Sequence, residues 1–319
     1  MLKNFNTKVV RKVKKATSKW IWNRSADQYI QDNFKVYWET LPIVAHYQFH
    51  CMTGDENKDY LTYTIDYLRD HVGTEDLQGL SIGCVEMSPT EMTLYKTGYF
   101  CAFDVMDIAG GLLKRQERKA TKEGLEGIAY IKQDLNKVDL GQNQYDLIWA
   151  VGTIHHIENL EGFFDQVQSA LTERGVFVMR EYIGPNRIQL TDEQLAIANE
   201  ILSYLPEKYK RTVDGTLKTQ EQRVDINQLI KIDPSESVRS EDLLAIFKEK
   251  LDVIHLAPTG GTLLMPLLNN IASNFEQDPE GEAMLRIVIM LERMLIENNI
   301  LPSDYVFCMA KKRCSLSGT

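Results

Sequence analysis

The 319-residue sequence contains no apolar run that approaches the roughly 20 residues needed to span a bilayer. Its N-terminus also lacks the apolar core of a signal peptide, so we expect a cytoplasmic globular protein. The five cysteines are odd in number and scattered, and no C-x-x-C pair occurs among them. This pattern argues against a cysteine zinc site and against a redox couple.

Basic residues are scarce outside one short stretch. The net charge is -9, yet residues 1–24 hold eight Lys or Arg and no acidic residue, which leaves 28 basic against 45 acidic residues in the rest. An acidic body argues against nucleic acid as a partner. With 44% hydrophobic residues, the chain can bury one α/β core with a sizeable insertion, or two modest domains.

The basic stretch, residues 1–24, has the pattern of an amphipathic helix. Apolar residues recur at helical spacing while lysines and arginines fill the other faces. One interpretation is a helix on an anionic membrane surface, with Trp20 and Trp22 at the level of the headgroups. The other is a leader helix packed on its own domain or on a partner subunit.

Residues 79–104 predict a strand, a tight turn, a helix and a second strand that ends in an acid. The first strand covers residues 80–84, and Gly83 marks a place where the backbone must pass close to another group. Ser88 to Glu91 has the form of a capping box. The second strand, residues 99–103, leads into Asp104, whose carboxylate is placed to accept both hydroxyls of a ribose.

The run L-S-I-G-C-V-E-M followed by Asp104 resembles the class I S-adenosylmethionine (SAM) dependent methyltransferases. Their first motif is hydrophobic-hydrophobic-x-G-x-G-x-G, and here Val85 and Met87 replace its second and third glycines. The resemblance implies SAM as cofactor. It implies cofactor contacts from residues at the ends of the first four strands: Gly83, Cys84, Val85, Glu86, Asp104, Val105, Asp134, Leu135 and Val151.

Short strands alternate with helices from residue 79 to the C-terminus, and this predicts a doubly wound parallel sheet. Strand four covers residues 145–151 and strand five residues 175–180, and the resemblance places the last strand, residues 305–310, antiparallel beside strand five. The fold expected is an α/β, Rossmann-like, seven-stranded sheet. The predicted parts are a helical cover (25–78), a SAM-binding core (79–184), a helical insertion (185–250) and the completion of the sheet (251–319).

Strand five ends in E-Y-I-G-P-N-R-I-Q, residues 181–189. The stretch resembles the E-Y-V-G-P-x-R-x-Q of a bacterial branch of these methyltransferases, which is often associated with surface-polysaccharide synthesis. The resemblance implies a glycan intermediate as one class of acceptor.

Candidate catalytic residues follow strands four and five. His155 and His156 are the first candidates for a general base, and Glu181 and Tyr182 are the next. A hydrogen-bonded core role stays open for both histidines. Arg187 and Tyr182 are candidates for substrate binding, Arg187 because a guanidinium pairs with anionic groups. The spacing of His155, His156 and Glu158 matches no metal motif, so no metal is expected.

The function expected from the sequence is methyl transfer to a hydroxyl of a small molecule or glycan intermediate. Two alternatives stay open. One is N-methylation of a small amine or amino sugar, and the other is a binding subunit without catalysis, suggested by the missing glycines. The sequence does not indicate an oligomeric state, and the only further partner expected is a membrane surface at residues 1–24.

Overall fold

A computed structural model describes residues 37–85 and 89–313 of the chain. The predicted basic helix of residues 1–24 lies outside the described residues. So do Glu86, a predicted cofactor contact, and Ser88, the predicted helix cap. In the described part of the chain, every helix is too short or too polar to cross a membrane.

Seven strands form one sheet, in the order β3-β2-β1-β4-β5-β7-β6. Strands β1 to β5 are parallel, and β7 is inserted antiparallel between β5 and β6. The predicted α/β, doubly wound, seven-stranded fold is therefore confirmed. The strands are β1 (Leu77–Ile82), β2 (Phe100–Asp107), β3 (Ile128–Lys132), β4 (Tyr145–Val151), β5 (Leu171–Tyr182), β6 (Asp252–Gly260) and β7 (Tyr305–Lys311).

Helices cover both faces of the sheet. In chain order they are α1 (Pro42–Thr53), α2 (Tyr60–Tyr67), α3 (Thr90–Tyr95), α4 (Gly110–Lys122), α5 (Leu160–Ala170), α6 (Asp192–Tyr204), α7 (Ile226–Ile232), α8 (Ser240–Lys250), α9 (Leu264–Leu268) and α10 (Pro279–Glu297). A π-helical turn, Leu68–Val72, continues α2. Helix α3 begins directly after Pro89, and α7 lies within the predicted insertion of residues 185–250.

Apolar residues of the central strands form a core on each face. The first six residues of β4 are all buried, because helices cover both sides of a parallel sheet. Phe164 and Phe247 bring α5 and α8 onto one face, while Trp149 and Phe307 lie in the core of the other. A third apolar cluster joins α6, α9 and α10 beyond the sheet.

The helical cover is fastened to the sheet by a charged contact. Arg180 on β5 forms an ion pair with Glu39, just before α1, and its guanidinium also donates to Gln48 at 3.1 Å. The side chains of Arg180 and Glu39 are only 13% and 12% exposed. The same guanidinium lies 5.7 Å from the centre of the Tyr60 ring. This contact fixes α1 and α2 above the ends of the parallel strands.

Candidate active site

The loop after β1 has no room for a side chain at Gly83. Its φ angle is +88°, which side chains disfavour, and a Cβ atom there would lie 2.1 Å from Oγ1 of Thr153. The Gly83 amide donates to the Met106 carbonyl at 2.8 Å. The ends of β1, β2 and β4 therefore meet closely at this glycine.

Asp107, rather than Asp104, ends β2. The Asp107 carboxylate accepts hydrogen bonds from the amides of Cys84 at 2.9 Å and Ala109 at 2.6 Å. Burial raises the pKa of Asp107, and these two amides act in the opposite direction. The carboxylate can accept about four hydrogen bonds, so acceptor capacity remains for a ligand. Asp107 is thus a carboxylate built into the turn beside Gly83.

The prediction that Asp104 ends strand two is wrong. Asp104 lies within β2, paired with Leu80 of β1, and its carboxylate accepts the Tyr145 hydroxyl at 2.7 Å. Val105, the other residue predicted there, is fully buried in the core. Both belong to the strand interior because β2 runs to Asp107.

A pocket of about 400 Å³, partly open to solvent, lies at the C-terminal end of β1 and β4. Its walls include Tyr60, Gly83, Val85, Glu91, Trp149 and Val151. The Tyr60 ring of the cover stacks on Trp149, with centroids 5.6 Å apart. Two predicted cofactor contacts, Val85 and Val151, therefore face the same pocket as Gly83.

Asp134 and Leu135 follow β3, beside the end of β2. The amide of Gln133 donates to the Asp107 carbonyl at 2.9 Å, so the two strand ends lie together. The Asp134 carboxylate accepts the Asn136 amide at 3.2 Å, and Leu135 packs against the core. Their predicted contact with the adenine part of SAM stays a prediction.

A short helical turn, Ile154–His156, presents the two histidines after β4. The buried Glu181 carboxylate, at the end of β5, organises this turn. One oxygen accepts the amides of Thr153 at 2.6 Å and Ile154 at 2.7 Å, and the other lies 2.7 Å from Nδ1 of His155. Glu181 therefore fixes the ring of His155 through Nδ1, and Nε2 lies on the side of the ring away from Glu181.

The insertion brings two further acidic groups to the histidines. Glu236 places its two carboxylate oxygens 3.7 Å from Nε2 of His155 and 3.9 Å from Nε2 of His156. Nδ1 of His156 lies 3.3 Å from the Ser235 hydroxyl and 3.8 Å from Asp233. The imidazole centroids are 4.2 Å apart. We call His155, His156, Glu181, Asp233 and Glu236 the histidine cluster.

The environment drives the pKa values of the two histidines apart. Burial lowers the pKa of His155, but the charges of Glu181, Glu236 and Asp233 outweigh it and raise that pKa to about 9. Burial and the neighbouring His155 ring lower the pKa of His156. In this arrangement His155 carries the positive charge and His156 is the neutral imidazole.

Arg187 and Tyr182, both predicted to bind substrate, contact the protein itself. The Arg187 guanidinium donates to the carbonyls of Pro234 at 2.9 Å and Glu236 at 2.8 Å. The Tyr182 hydroxyl donates to the Pro185 carbonyl at 3.1 Å. Arg187 therefore holds the insertion loop that carries Glu236, and Tyr182 holds the turn after β5.

Six residues of the site are not among those predicted from the sequence. These are Tyr60, Glu91, Asp107, Trp149, Asp233 and Glu236. Only Asp107 has a local signal, since it is the second acid of F-D-V-M-D. Glu91 is buried and accepts the Tyr130 hydroxyl at 3.1 Å, a contact between distant segments.

Comparisons with known proteins agree with this geometry. The sterol 24-C-methyltransferase of Candida albicans is 24% identical over 144 residues, which cover 44% of this chain and 38% of that protein. The chain thus spans about two fifths of the length of the curated relatives it matches. Residues 80–179 match the family model described as a methyltransferase domain.

Two solved structures are similar in outline. Phosphoethanolamine N-methyltransferase 2 of Haemonchus contortus is 14% identical, with 92% of this chain and 60% of that chain covered and a TM-score of 0.49. Geranyl diphosphate C-methyltransferase of Streptomyces coelicolor A3(2) is 12% identical, with 79% of each chain covered and a TM-score of 0.45. The family-model match, which covers residues 80–179, supports a SAM-dependent methyltransferase domain in this part of the chain, with SAM as its cofactor.

Proposed function

We propose that the chain is an active methyltransferase that methylates a hydroxyl group of a small molecule or glycan intermediate. The observation that carries this proposal is the pair of imidazoles after β4, in which Glu181 holds His155 at 2.7 Å and the neutral His156 lies beside it. A hydroxyl is a poor nucleophile until it loses its proton, and a neutral imidazole is suited to receive that proton.

The residues around the pocket fit SAM. Asp107 offers a carboxylate for the ribose hydroxyls, and Gly83 leaves its loop free of a side chain where the cofactor approaches. When bound, SAM supplies the methyl group as a sulfonium. The protein then has to align the acceptor with that methyl group and to exclude water. Tyr60 and the helical cover close the pocket from above.

In this mechanism the roles within the histidine cluster differ. His156, the neutral imidazole, accepts the proton of the acceptor, and the charged ring of His155 lies beside it with the centroids 4.2 Å apart. Glu181 is a positioning residue, because both its oxygens are occupied by His155 and by the amides of the turn. Arg187 is also a positioning residue, since it holds the loop of Glu236.

The glycan class of acceptor is supported by the resemblance of residues 181–189 to a polysaccharide-associated branch. The contacts of this stretch explain why its residues are needed together. Gly184 has no space for a Cβ, which would lie 2.7 Å from Asp304, and its carbonyl accepts the Ser240 hydroxyl at 2.8 Å. Asn186 donates to Glu241 at 2.8 Å. The stretch thus attaches α8 and the insertion to β5.

An amine acceptor is the second candidate. The carboxylates of Asp233 and Glu236 beside the histidines favour a cationic group, such as the ammonium of an amino sugar. N-methylation requires no base once the amine is neutral, so the two candidates differ in their dependence on the histidines.

The test begins with calorimetric titration of SAM and of its demethylated product into the purified protein. Sugars, nucleotide sugars and amino sugars are then screened as acceptors. For a hydroxyl acceptor, His155→Ala or His156→Ala should lower kcat by roughly 10²–10⁴-fold. His46→Ala, at an exposed position on α1, is the control. An unchanged rate would favour the amine acceptor, and no binding of either ligand would favour a binding subunit without catalysis.

We also propose that residues 1–24 hold the enzyme near a membrane surface where lipid-linked glycans are made. Eight basic residues without an acid support this proposal. Deletion of residues 1–24 should reduce sedimentation with vesicles that contain anionic lipids and should lower activity on a lipid-linked acceptor. If the deletion changes neither, the membrane proposal fails while the methyltransferase proposal stands.

A further inference from the structure

We infer that His155, His156 and Glu236 bind one divalent transition-metal ion. A ligand atom from each of these residues lies within 4.8 Å of the other two. Zinc-type ions lie about 2.0–2.2 Å from nitrogen and oxygen ligands, so tetrahedral ligands of one ion are about 3.4 Å apart. The nitrogen–oxygen distances of 3.7 and 3.9 Å are slightly longer than this. Side-chain shifts of roughly one ångström bring the three ligand atoms to the distances that one ion requires.

The second nitrogen of each imidazole is held in the way that metal-binding histidines require. Nδ1 of His155 faces the buried Glu181 carboxylate at 2.7 Å. Nδ1 of His156 faces Ser235, whose hydroxyl in turn donates to Asp233 at 2.6 Å. Such outer contacts fix the ring and direct Nε2 toward the ion. Both Nε2 atoms therefore point to the same carboxylate.

Glu236 is supplied by a loop that is itself fixed. Arg187 donates to the carbonyls of Pro234 and Glu236, and the Val238 amide donates to the His155 carbonyl at 3.1 Å. The Glu236 side chain is 23% exposed, and those of His155 and His156 are 12% and 16% exposed. An ion can therefore enter from solvent, and its remaining positions stay open for water or an acceptor.

Charge and donor type indicate the class of ion. Three carboxylates, from Glu181, Asp233 and Glu236, lie beside two imidazoles in a largely buried cluster, so a divalent cation is favoured there. Two imidazole nitrogens and one carboxylate suit Zn²⁺, Mn²⁺, Fe²⁺ or Co²⁺ better than Mg²⁺, which prefers oxygen ligands. Glu236 comes from the distant insertion, which explains why the spacing of His155, His156 and Glu158 predicts no metal.

Binding of the ion does not depend on methyl transfer. Its role in catalysis, by contrast, rests on the function proposed above. A hydroxyl bound to such an ion loses its proton more readily. The ion would therefore replace the imidazoles in activating the acceptor. The binding test therefore uses ion binding itself as its readout.

The experiment is calorimetric titration of the metal-free full chain with ZnCl₂, in parallel with Co²⁺ absorption spectroscopy. His46 and His50 lie four residues apart on α1 and are both exposed, so all titrations use a His46→Ala/His50→Ala background. We expect one Zn²⁺ per chain, and a Co²⁺ spectrum of an ion with histidine ligands. Mg²⁺ should bind far more weakly.

Glu236→Gln keeps the size of the side chain, and the partial exposure of Glu236 makes loss of folding a small concern. It should weaken Zn²⁺ binding at least about tenfold, and His156→Ala should weaken it further. His71→Ala, at an exposed histidine outside the cluster, should leave it unchanged. Absence of a bound ion in the unsubstituted cluster, or equal affinity after Glu236→Gln, would overturn the inference. SAM binding, measured on the same samples, separates this result from a failure of the proposed function.

Discussion

The carboxylate of Asp107 accepts a hydrogen bond from the Cys84 amide at 2.9 Å, and this bond joins the end of β2 to the loop after β1. The loop has lost two of the three glycines that the family motif contains, and Val85 is 45% exposed beside the pocket. The Asp107 carboxylate holds this loop through the Cys84 amide, and that hydrogen bond requires no glycine. Cofactor binding should therefore depend strongly on this residue.

Asp107→Ala should lower the affinity for SAM at least about tenfold, because it removes both the acceptor for the ribose hydroxyls and the bond to Cys84. The matched control is Asp104→Ala. That change leaves the buried Tyr145 hydroxyl without its acceptor and should cost about 1–3 kcal/mol of stability, with little change in SAM affinity. Calorimetry with SAM and urea unfolding distinguish the two variants. Loss of SAM binding in Asp104→Ala alone would restore the assignment made from the sequence.

Gly83→Ala should impair both folding and cofactor binding. The added Cβ would lie 2.1 Å from Oγ1 of Thr153, at a φ angle of +88°. Gly98→Ala is the control, because Gly98 has a φ angle of +76° with open space around it. The control isolates the cost of the backbone angle, about 1 kcal/mol. Urea unfolding should show a larger loss for Gly83→Ala, and equal losses would mean that the contact with Thr153 relaxes freely.

Local signals in the sequence predict their elements well. Strand β4 occupies residues 145–151, as predicted, and Thr191 and Gln194 form both hydrogen bonds of a capping box before α6. These features depend on residues that are neighbours in the sequence, so they can be predicted from the sequence alone.

Contacts between distant segments explain what the sequence could not predict. Asp104 is half-buried within β2, and its carboxylate accepts a hydrogen bond from the Tyr145 hydroxyl of a distant strand. This bond allows a carboxylate inside the strand. The histidine cluster was predicted only in part, since Glu181 follows His155 in the same α/β unit whereas Glu236 comes from the insertion. An arginine such as Arg187 commonly binds anions. Its contacts with the carbonyls of Pro234 and Glu236 show instead that it holds the insertion loop.

Arg180→Met should destabilise the protein by about 3 kcal/mol or more, since it leaves the largely buried carboxylate of Glu39 without its cation. Adding Glu39→Leu should recover most of the loss, because no unpaired charge then remains. The exposed pair of Arg286 and Glu282 on α10 is the control, and Arg286→Met there should cost less than about 0.5 kcal/mol. These values follow from urea unfolding. An additive double variant would show that Arg180 stabilises the fold by packing rather than through Glu39.

The contribution of Asp304 to the stability of the folded protein should fall as pH rises from about 4 to 7. Burial raises the pKa of this carboxyl to about 7, although a hydrogen bond from Gln194 at 2.8 Å opposes the shift. Its other oxygen, Oδ1, is buried without a hydrogen-bond partner. In that pH range the folded protein keeps the proton while the unfolded chain has released it, so unfolding becomes easier by up to about 1.4 kcal/mol per pH unit.

Asp304→Asn keeps the shape of the side chain and an acceptor for Gln194 but never carries the charge. The variant should match the unsubstituted protein at pH 4 and exceed its free energy of unfolding by roughly 2–4 kcal/mol at pH 8. Asp252→Asn, the same substitution at an exposed position at the start of β6, is the matched control. Urea unfolding at both pH values gives the comparison. Parallel profiles for Asp304→Asn and the unsubstituted protein would mean that Asp304 is ionised in the folded state throughout, with solvent reaching Oδ1.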